Sequence, residues 1–331
     1  MAGEMTSRPF PILFIAPSRI GDAVLASGLV KVLHDKIPGA RFTFAGSELT
    51  APLFAETPGV EQVIVIEKRP LSQHWLTLWN EVRDRKWGLV VDLRGSGISG
   101  LLRRSKRAVH RSTGEREHKV IEAARLLRLE PSPPAPFLFA NEETEARAAQ
   151  LTAGGGPILA VAPAANWMGK AWPAERFAQV ARRLLGPGGA LDGGRLMVLG
   201  ATRDRDVAAS VKTAVPRNRL INLVGAERLL VCFAALKRAR LFVGNDSGLM
   251  HMAAAAGAPT LGLFGPSDEA RYAPWGEAAR AVRGPRSFED FLAIDPTLSH
   301  SVCHMTDLAI GDVLAAAEIL IAETAVETVD A

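Results

Sequence analysis

In the segment 243–268, VGNDSGLMHMAAAAGAPTLGLFGPSD, an apolar run ends at Gly244, and Asn245, Asp246, Ser247 and Gly248 make a polar turn into an Ala-rich helix. The first N–H groups of a helix lack partners inside it, so those of Ser247, Gly248 and Leu249 suit a phosphate. Gly248 has no side chain to keep a pyrophosphate away. An ordinary helix capped by Ser247 or Asp246 fits the same letters. His251, flanked by Met250 and Met252, reads either as a ligand contact of this turn or as a hydrogen-bonded core residue.

The segment 16–33, APSRIGDAVLASGLVKVL, offers a different chemical group on the same strand–turn–helix arrangement. Ser18, Arg19 and Gly21 form the turn, and Gly21 permits close approach of a ligand to the backbone. Asp22 falls at the helix N-terminus, where the dipole favours an ionised carboxylate. Such a carboxylate serves as general base toward an attacking hydroxyl, or it simply caps the helix. The loop has neither the G-x-G-x-x-G of dinucleotide binding nor the GKS or GKT of a P-loop.

Three further segments carry charge in suggestive places. In VAPAANWMGKAWPAERF (161–177), Lys170 is the one flexible cation of a strand-to-helix loop, placed to hold a donor phosphate or to remain a solvated surface charge. Pro173 suits the start of the helix that follows. In LGATRDRD (199–206), Asp204 and Asp206 have the spacing of a metal-binding D-x-D. That tripeptide recurs by chance, and its place just after a strand favours a ribose-hydroxyl contact by Asp204. RRSKRAVHR (103–111) gathers Arg103, Arg104, Lys106, Arg107 and Arg111 with His110. It reads as a solvated face, or as an attraction to a polyanionic acceptor or an anionic membrane surface.

These turns need strands and helices to hold them. Short apolar runs at 11–16, 41–46, 61–67 and 88–93 alternate with amphipathic stretches such as 23–36 and 75–85, the pattern of a parallel sheet covered by helices. The alternation breaks at PSPPAPF (131–137) and TAGGGP (152–157), then resumes with strands at 158–162, 196–200, 240–244 and 260–264. Helices are expected at 173–185, 204–214, 227–237 and 247–256, with a Gly/Pro-rich surface insertion at 186–194. Two doubly wound α/β domains follow, 1–152 and 153–331, facing across a cleft lined by the carboxyl ends of their sheets. A last helix near 307–324 packs on the second domain or crosses back to the first.

Composition narrows the function. The chain has 331 residues, 48% of them hydrophobic, a formal charge of +4 and a single Tyr. The modest charge suits an anionic small molecule better than a nucleic acid, and the lack of aromatics argues against stacking on single strands. Cys232 sits in an apolar helical stretch, and it and Cys303 form neither a disulfide framework nor a zinc site. The apolar run at 12–16 is too short for a signal peptide, and no run of about 18 apolar residues exists. The expected place is the cytoplasm, with the basic run open to peripheral contact at the inner face of the cytoplasmic membrane.

Together the motifs PSRIGDAVL (17–25), GKAWP (169–173), NDSGLMHMAAAAGAPTLGLFGPSD (245–268) and, more weakly, HSVCHMTDLAIGDVLAAA (300–317) resemble those of glycosyltransferase family 9, the ADP-heptose:lipopolysaccharide heptosyltransferases. The resemblance runs over most of the chain with the motifs in order. It implies a GT-B fold, an acceptor on the N-terminal domain and a nucleotide-sugar donor, ADP-linked, on the C-terminal domain. It implies inverting transfer with no cofactor and no metal. By position, Asp22 becomes the base and Lys170 the cation opposite the leaving diphosphate. Asp246, Ser247, Gly248 and Leu249 become the diphosphate turn, joined by His251, and Asp204 lies near the donor ribose. Ser18, Arg19 and Gly21 form the acceptor-side loop, and the acceptor is a lipid-linked or phosphorylated glycan such as a lipopolysaccharide core. The wholly apolar 12–16 lacks a basic residue found in several members, and 94–145 carries no motif of the family. A non-catalytic GT-B protein binding nucleotide sugars or glycans and a sugar-nucleotide epimerase share the architecture; the presence of both Asp22 and Lys170 favours the transferase.

Overall fold

The computed structural model of the chain describes residues 8–111, 114–298 and 302–326. His300 and Ser301 of the C-terminal motif lie outside the described residues. Two compact units make up the chain, Met1–Asn141 and Glu142–Ala331. The division falls just ahead of helix Glu142–Leu151, which packs along helix Leu229–Leu236, with Glu145 paired to Lys237 at 2.6 Å.

The first unit holds strands β1 (Phe10–Ile15), β2 (Ala40–Gly46), β3 (Val60–Val65), β4 (Trp87–Asp92) and β5 (Arg104–Val109). They lie in the order β3-β2-β1-β4-β5, and every pair is parallel. β1 and β4 are continuous apolar runs because helices cover both faces of the sheet. The order reverses between β1 and β4, so the loops leaving these two strands flank the switch point at which such sheets bind ligands.

One expectation is corrected in this unit. The stretch 23–36 is not one helix but two, Ile20–Leu25 and Gly28–Lys36. At the break, Ser27 Oγ donates to Val24 O and accepts from Phe137 N, and a side chain on Gly28 would run into Pro134 O at 2.6 Å. The Pro-rich segment at 131–137 is therefore laid against the helix pair, within the first unit. The basic run at 103–111 is mostly β5, the edge strand. Charged side chains there leave the edge unattractive to a further strand. Its basic letters hid the strand from a reading of apolar alternation.

The second unit holds β6 (Ile158–Ala162), β7 (Arg195–Val198), β8 (Leu220–Asn222), β9 (Leu241–Asn245), β10 (Thr260–Phe264) and β11 (Ala279–Arg283). Their order is β11-β10-β9-β6-β7-β8, again all parallel. The reversal falls between β6 and β9, where Ala162 lies opposite Gly244. Helix Ile310–Val326 packs on this unit: Val313, Ala317 and Leu320 join Leu159, Val243 and Leu263 in its core. Cys232 is buried in helix Leu229–Leu236, and burial pushes its thiol up to about 12. The loop at 186–194 is anchored by Leu191, whose N–H donates to Leu184 O.

Candidate active site

The loop leaving β6 carries Lys170 and the turn leaving the adjacent β9 carries Asp246, one on each side of the switch point. Lys170 Nζ donates to Asp246 Oδ2 at 2.8 Å, and the two side chains are 12% and 9% exposed. Burial alone pushes the Asp246 carboxyl up. The charges of Lys170 and His251, with hydrogen bonds from Lys170 and Ser267, outweigh it and hold the group below the ordinary 3.8. His251 Nε2 lies 3.8 Å from Asp246 Oδ1, with its ring buried in the first turns of helix Gly248–Ala255. An anionic ligand entering this turn meets an ammonium whose position is already fixed.

Ser247 is the N-cap of that helix, its Oγ accepting from Met250 N at 3.4 Å. Gly248 and Leu249 form the first turn, so their N–H groups donate to no carbonyl inside the helix. The turn is thus built as a helix N-terminus with a lysine beside it.

What holds the Lys170 loop was only partly legible. Asn245, the last residue of β9, is fully buried; its Oδ1 accepts from Trp172 N at 3.0 Å and its Nδ2 donates to Pro163 O at 2.8 Å. One amide thus fastens both ends of the 163–172 loop. The C-terminal segment fastens its middle. His304 N donates to Gly169 O at 3.0 Å, Cys303 Sγ donates to Ala171 O at 3.2 Å, and Trp172 Nε1 donates to Leu308 O at 3.0 Å. The family-like C-terminal motif is a strap across the lysine loop. A second support comes from Arg283, which donates to Gly265 O and Ser267 O and so fixes the turn after β10 that meets Asp246.

Asp204 stands apart from this cluster. It follows β7, and its Oδ2 accepts from Ala201 N at 2.7 Å, closing a turn before helix Arg205–Lys212. Asp206, two residues on, is exposed on that helix.

In the first unit, Asp22 lies in the first turn of helix Ile20–Leu25, half-buried, and the N-cap Arg19 makes no side-chain cap bond. Ser18 and Arg19 are exposed in the turn, which Ser47 steadies by donating from Oγ to Ser18 O at 2.9 Å. On the other side of the switch point stands Asp92, wholly buried at the end of β4 and overlooked in the sequence. Its Oδ1 accepts from Arg94 N at 3.1 Å, and its Oδ2 accepts from Ser96 N and Ser96 Oγ at 3.0 and 2.8 Å. A buried carboxylate followed by Gly95 and Gly97, both with positive φ, marks a loop built to one shape.

Comparison with known proteins matches this arrangement to one family. The family model described as glycosyltransferase family 9 (heptosyltransferase) matches residues 83–291, more than half of the chain. A lipopolysaccharide heptosyltransferase 2 of Salmonella typhimurium is 24% identical over 312 residues, covering 82% of this chain and 87% of that protein. Among solved structures, a glycosyl transferase family 9 protein from Veillonella parvula superposes with a TM-score of 0.76 at 20% identity, covering 96% of this chain and 99% of the other. The E. coli ADP-heptose lipopolysaccharide heptosyltransferase II gives a TM-score of 0.74 at 21% identity, covering 95% and 99%.

Proposed function

The chain belongs to glycosyltransferase family 9, the heptosyltransferases, and from that premise we propose that it moves a heptose from an ADP-linked donor to a lipopolysaccharide core or a similar glycan, with inversion and without a metal. The observation that carries the donor side is the Lys170–Asp246 pair at a helix N-terminus on the switch point of the second sheet. Charge that develops on a leaving diphosphate needs a fixed cation and backbone N–H donors, and both stand there. The names of the relatives supply the sugar and the nucleotide; the turn itself supports only a diphosphate.

In this reading the acceptor hydroxyl attacks the anomeric carbon from the face opposite the nucleotide. Asp22 takes its proton as the new glycosidic bond forms. The bond from the anomeric carbon to the diphosphate oxygen breaks, and its electrons leave with ADP. Lys170 and the N–H groups of Gly248 and Leu249 stabilise that charge. Asp204, in the turn that follows β7, takes the donor ribose once its bond to Ala201 N is exchanged. Among the described residues no helix is long and apolar enough to cross a membrane. We place its action at the inner face of the cytoplasmic membrane, where a lipid-linked acceptor is presented.

Thermal melts of the full chain with a panel of nucleotides test the reading. ADP and ADP-heptose should raise the melting temperature, and UDP and NAD should leave it unchanged. Stabilisation by UDP alone, or consumption of donor without any need for acceptor, would replace the heptosyltransferase reading.

A further inference from the structure

We propose that Arg94 is the anion anchor of the acceptor, gripping a carboxylate or phosphate group on the glycan so that its hydroxyl is presented to Asp22. The inference rests on the transferase reading and adds to it the charge of the acceptor and the residue that reads it.

The placement comes from the first sheet. Leu93 N donates to Ile15 O at 3.0 Å, so the residue before Arg94 is tied to the end of β1, whose following turn leads to Asp22. The loops carrying Arg94 and Asp22 leave adjacent strands, which lie about 4.8 Å apart, on either side of the switch point of one sheet. The backbone under Arg94 is held from below by the buried Asp92 and sideways by His110 N, which donates to Asp92 O at 2.9 Å.

The side chain is held as well. The Arg94 guanidinium lies over the Trp75 ring, 4.5 Å from its centroid, and Trp75 in turn packs on the core beneath helix Gln73–Val82. Among the described residues the guanidinium makes neither an ion pair nor a hydrogen bond to protein. The Asp92 carboxylate that acts on it is already spent on three donors. A half-buried arginine normally finds a carboxylate or carbonyls for its five donors. Here the stack fixes the plane of the fork and leaves its edge open, the state in which a guanidinium takes a carboxylate or phosphate through two parallel bonds. Arg19 in the turn after β1 adds a second, exposed cation at the same end of the sheet.

The test uses the full chain and a lipopolysaccharide core acceptor prepared without heptose, in three forms: intact, phosphatase-treated, and methyl-esterified at its carboxyl groups. Calorimetry without donor gives the acceptor Kd. Arg94→Gln should weaken binding of the intact acceptor roughly 10- to 100-fold, the loss of a bidentate charged contact, and Arg94→Lys should fall between. ADP affinity should be unchanged in both variants. Whichever treatment removes the anchoring group should weaken the wild type and erase its advantage over Arg94→Gln, which tells phosphate from carboxylate. Binding of the intact acceptor by Arg94→Gln within twofold of wild type, or an equal loss on all three acceptors, overturns the inference. A wild-type chain that binds this acceptor but not ADP or ADP-heptose would instead overturn the donor side of the transferase reading.

Discussion

Lys170 and Asp246 sit on loops from neighbouring strands, 76 residues apart in sequence, and share an ion pair of 2.8 Å in a nearly dry setting. The pair does two things at once. It keeps the carboxylate charged against the pull of burial, and it parks an ammonium beside the first N–H groups of a helix. A diphosphate arriving there competes with Asp246 for the lysine rather than having to order it.

Lys170→Ala should therefore damage the chemical step more than donor binding. Loss of one preorganised cation opposite a leaving group lowers kcat by roughly 10²- to 10³-fold, while the helix N-terminus still holds part of the diphosphate. Steady-state transfer kinetics with ADP affinity measured alongside would show it. A donor Kd that rises by the same factor as kcat falls would make Lys170 a binding residue only.

Asp22→Asn separates the base from the cap. Asparagine keeps the size of the side chain and removes its charge from the first turn of helix Ile20–Leu25, a loss of about 0.3–1 kcal/mol, so the melting temperature should fall by only a few degrees. Transfer should drop roughly 10²- to 10⁴-fold, with acceptor and donor Kd preserved. A variant that transfers at the wild-type rate would leave Asp22 with a structural role alone.

Apart from Arg94, which no motif marks, the residues proposed to touch ligand stand in turns after strand ends and were legible there, because a turn between an apolar run and a helix is visible in one dimension. Their supports were not. Asn245 could have been suspected, since an amide at the end of a fully apolar strand must spend both its donor and its acceptor inside the protein. The partners it chose, Trp172 N and Pro163 O, lie across the fold and leave no trace in spacing. β5 was missed for a related reason: an edge strand of charged letters has no apolar alternation to show. β8, of three residues, is too short to carry a pattern.

Asn245→Ala is expected to be costly for this reason. It strands a buried N–H and a buried carbonyl, each worth about 1–3 kcal/mol when left unpaired. The melting temperature should fall by several degrees, and kcat should fall with it as the Lys170 loop loosens. Asn245→Asp should fare no better, because a carboxylate cannot donate to Pro163 O. Wild-type kcat in a destabilised Asn245→Ala would show that the C-terminal strap alone positions the lysine.

The pH dependence of stability should report Asp246. Its folded carboxyl is held below the ordinary 3.8, so the unfolded chain takes up a proton first as pH falls. Its contribution is fully present above the unfolded value and drains away as pH drops through the folded one. Breaking a buried pair by removing one charge costs about 3–5 kcal/mol, and Asp246→Asn should lose a good part of that at neutral pH. Melts of wild type and Asp246→Asn should then differ by a constant amount from pH 7 down to about 5, and converge below 3.8. A gap that widens on acidification would mean that burial, not Lys170, sets the charge state of this carboxyl, and the lysine would then be free to leave without cost.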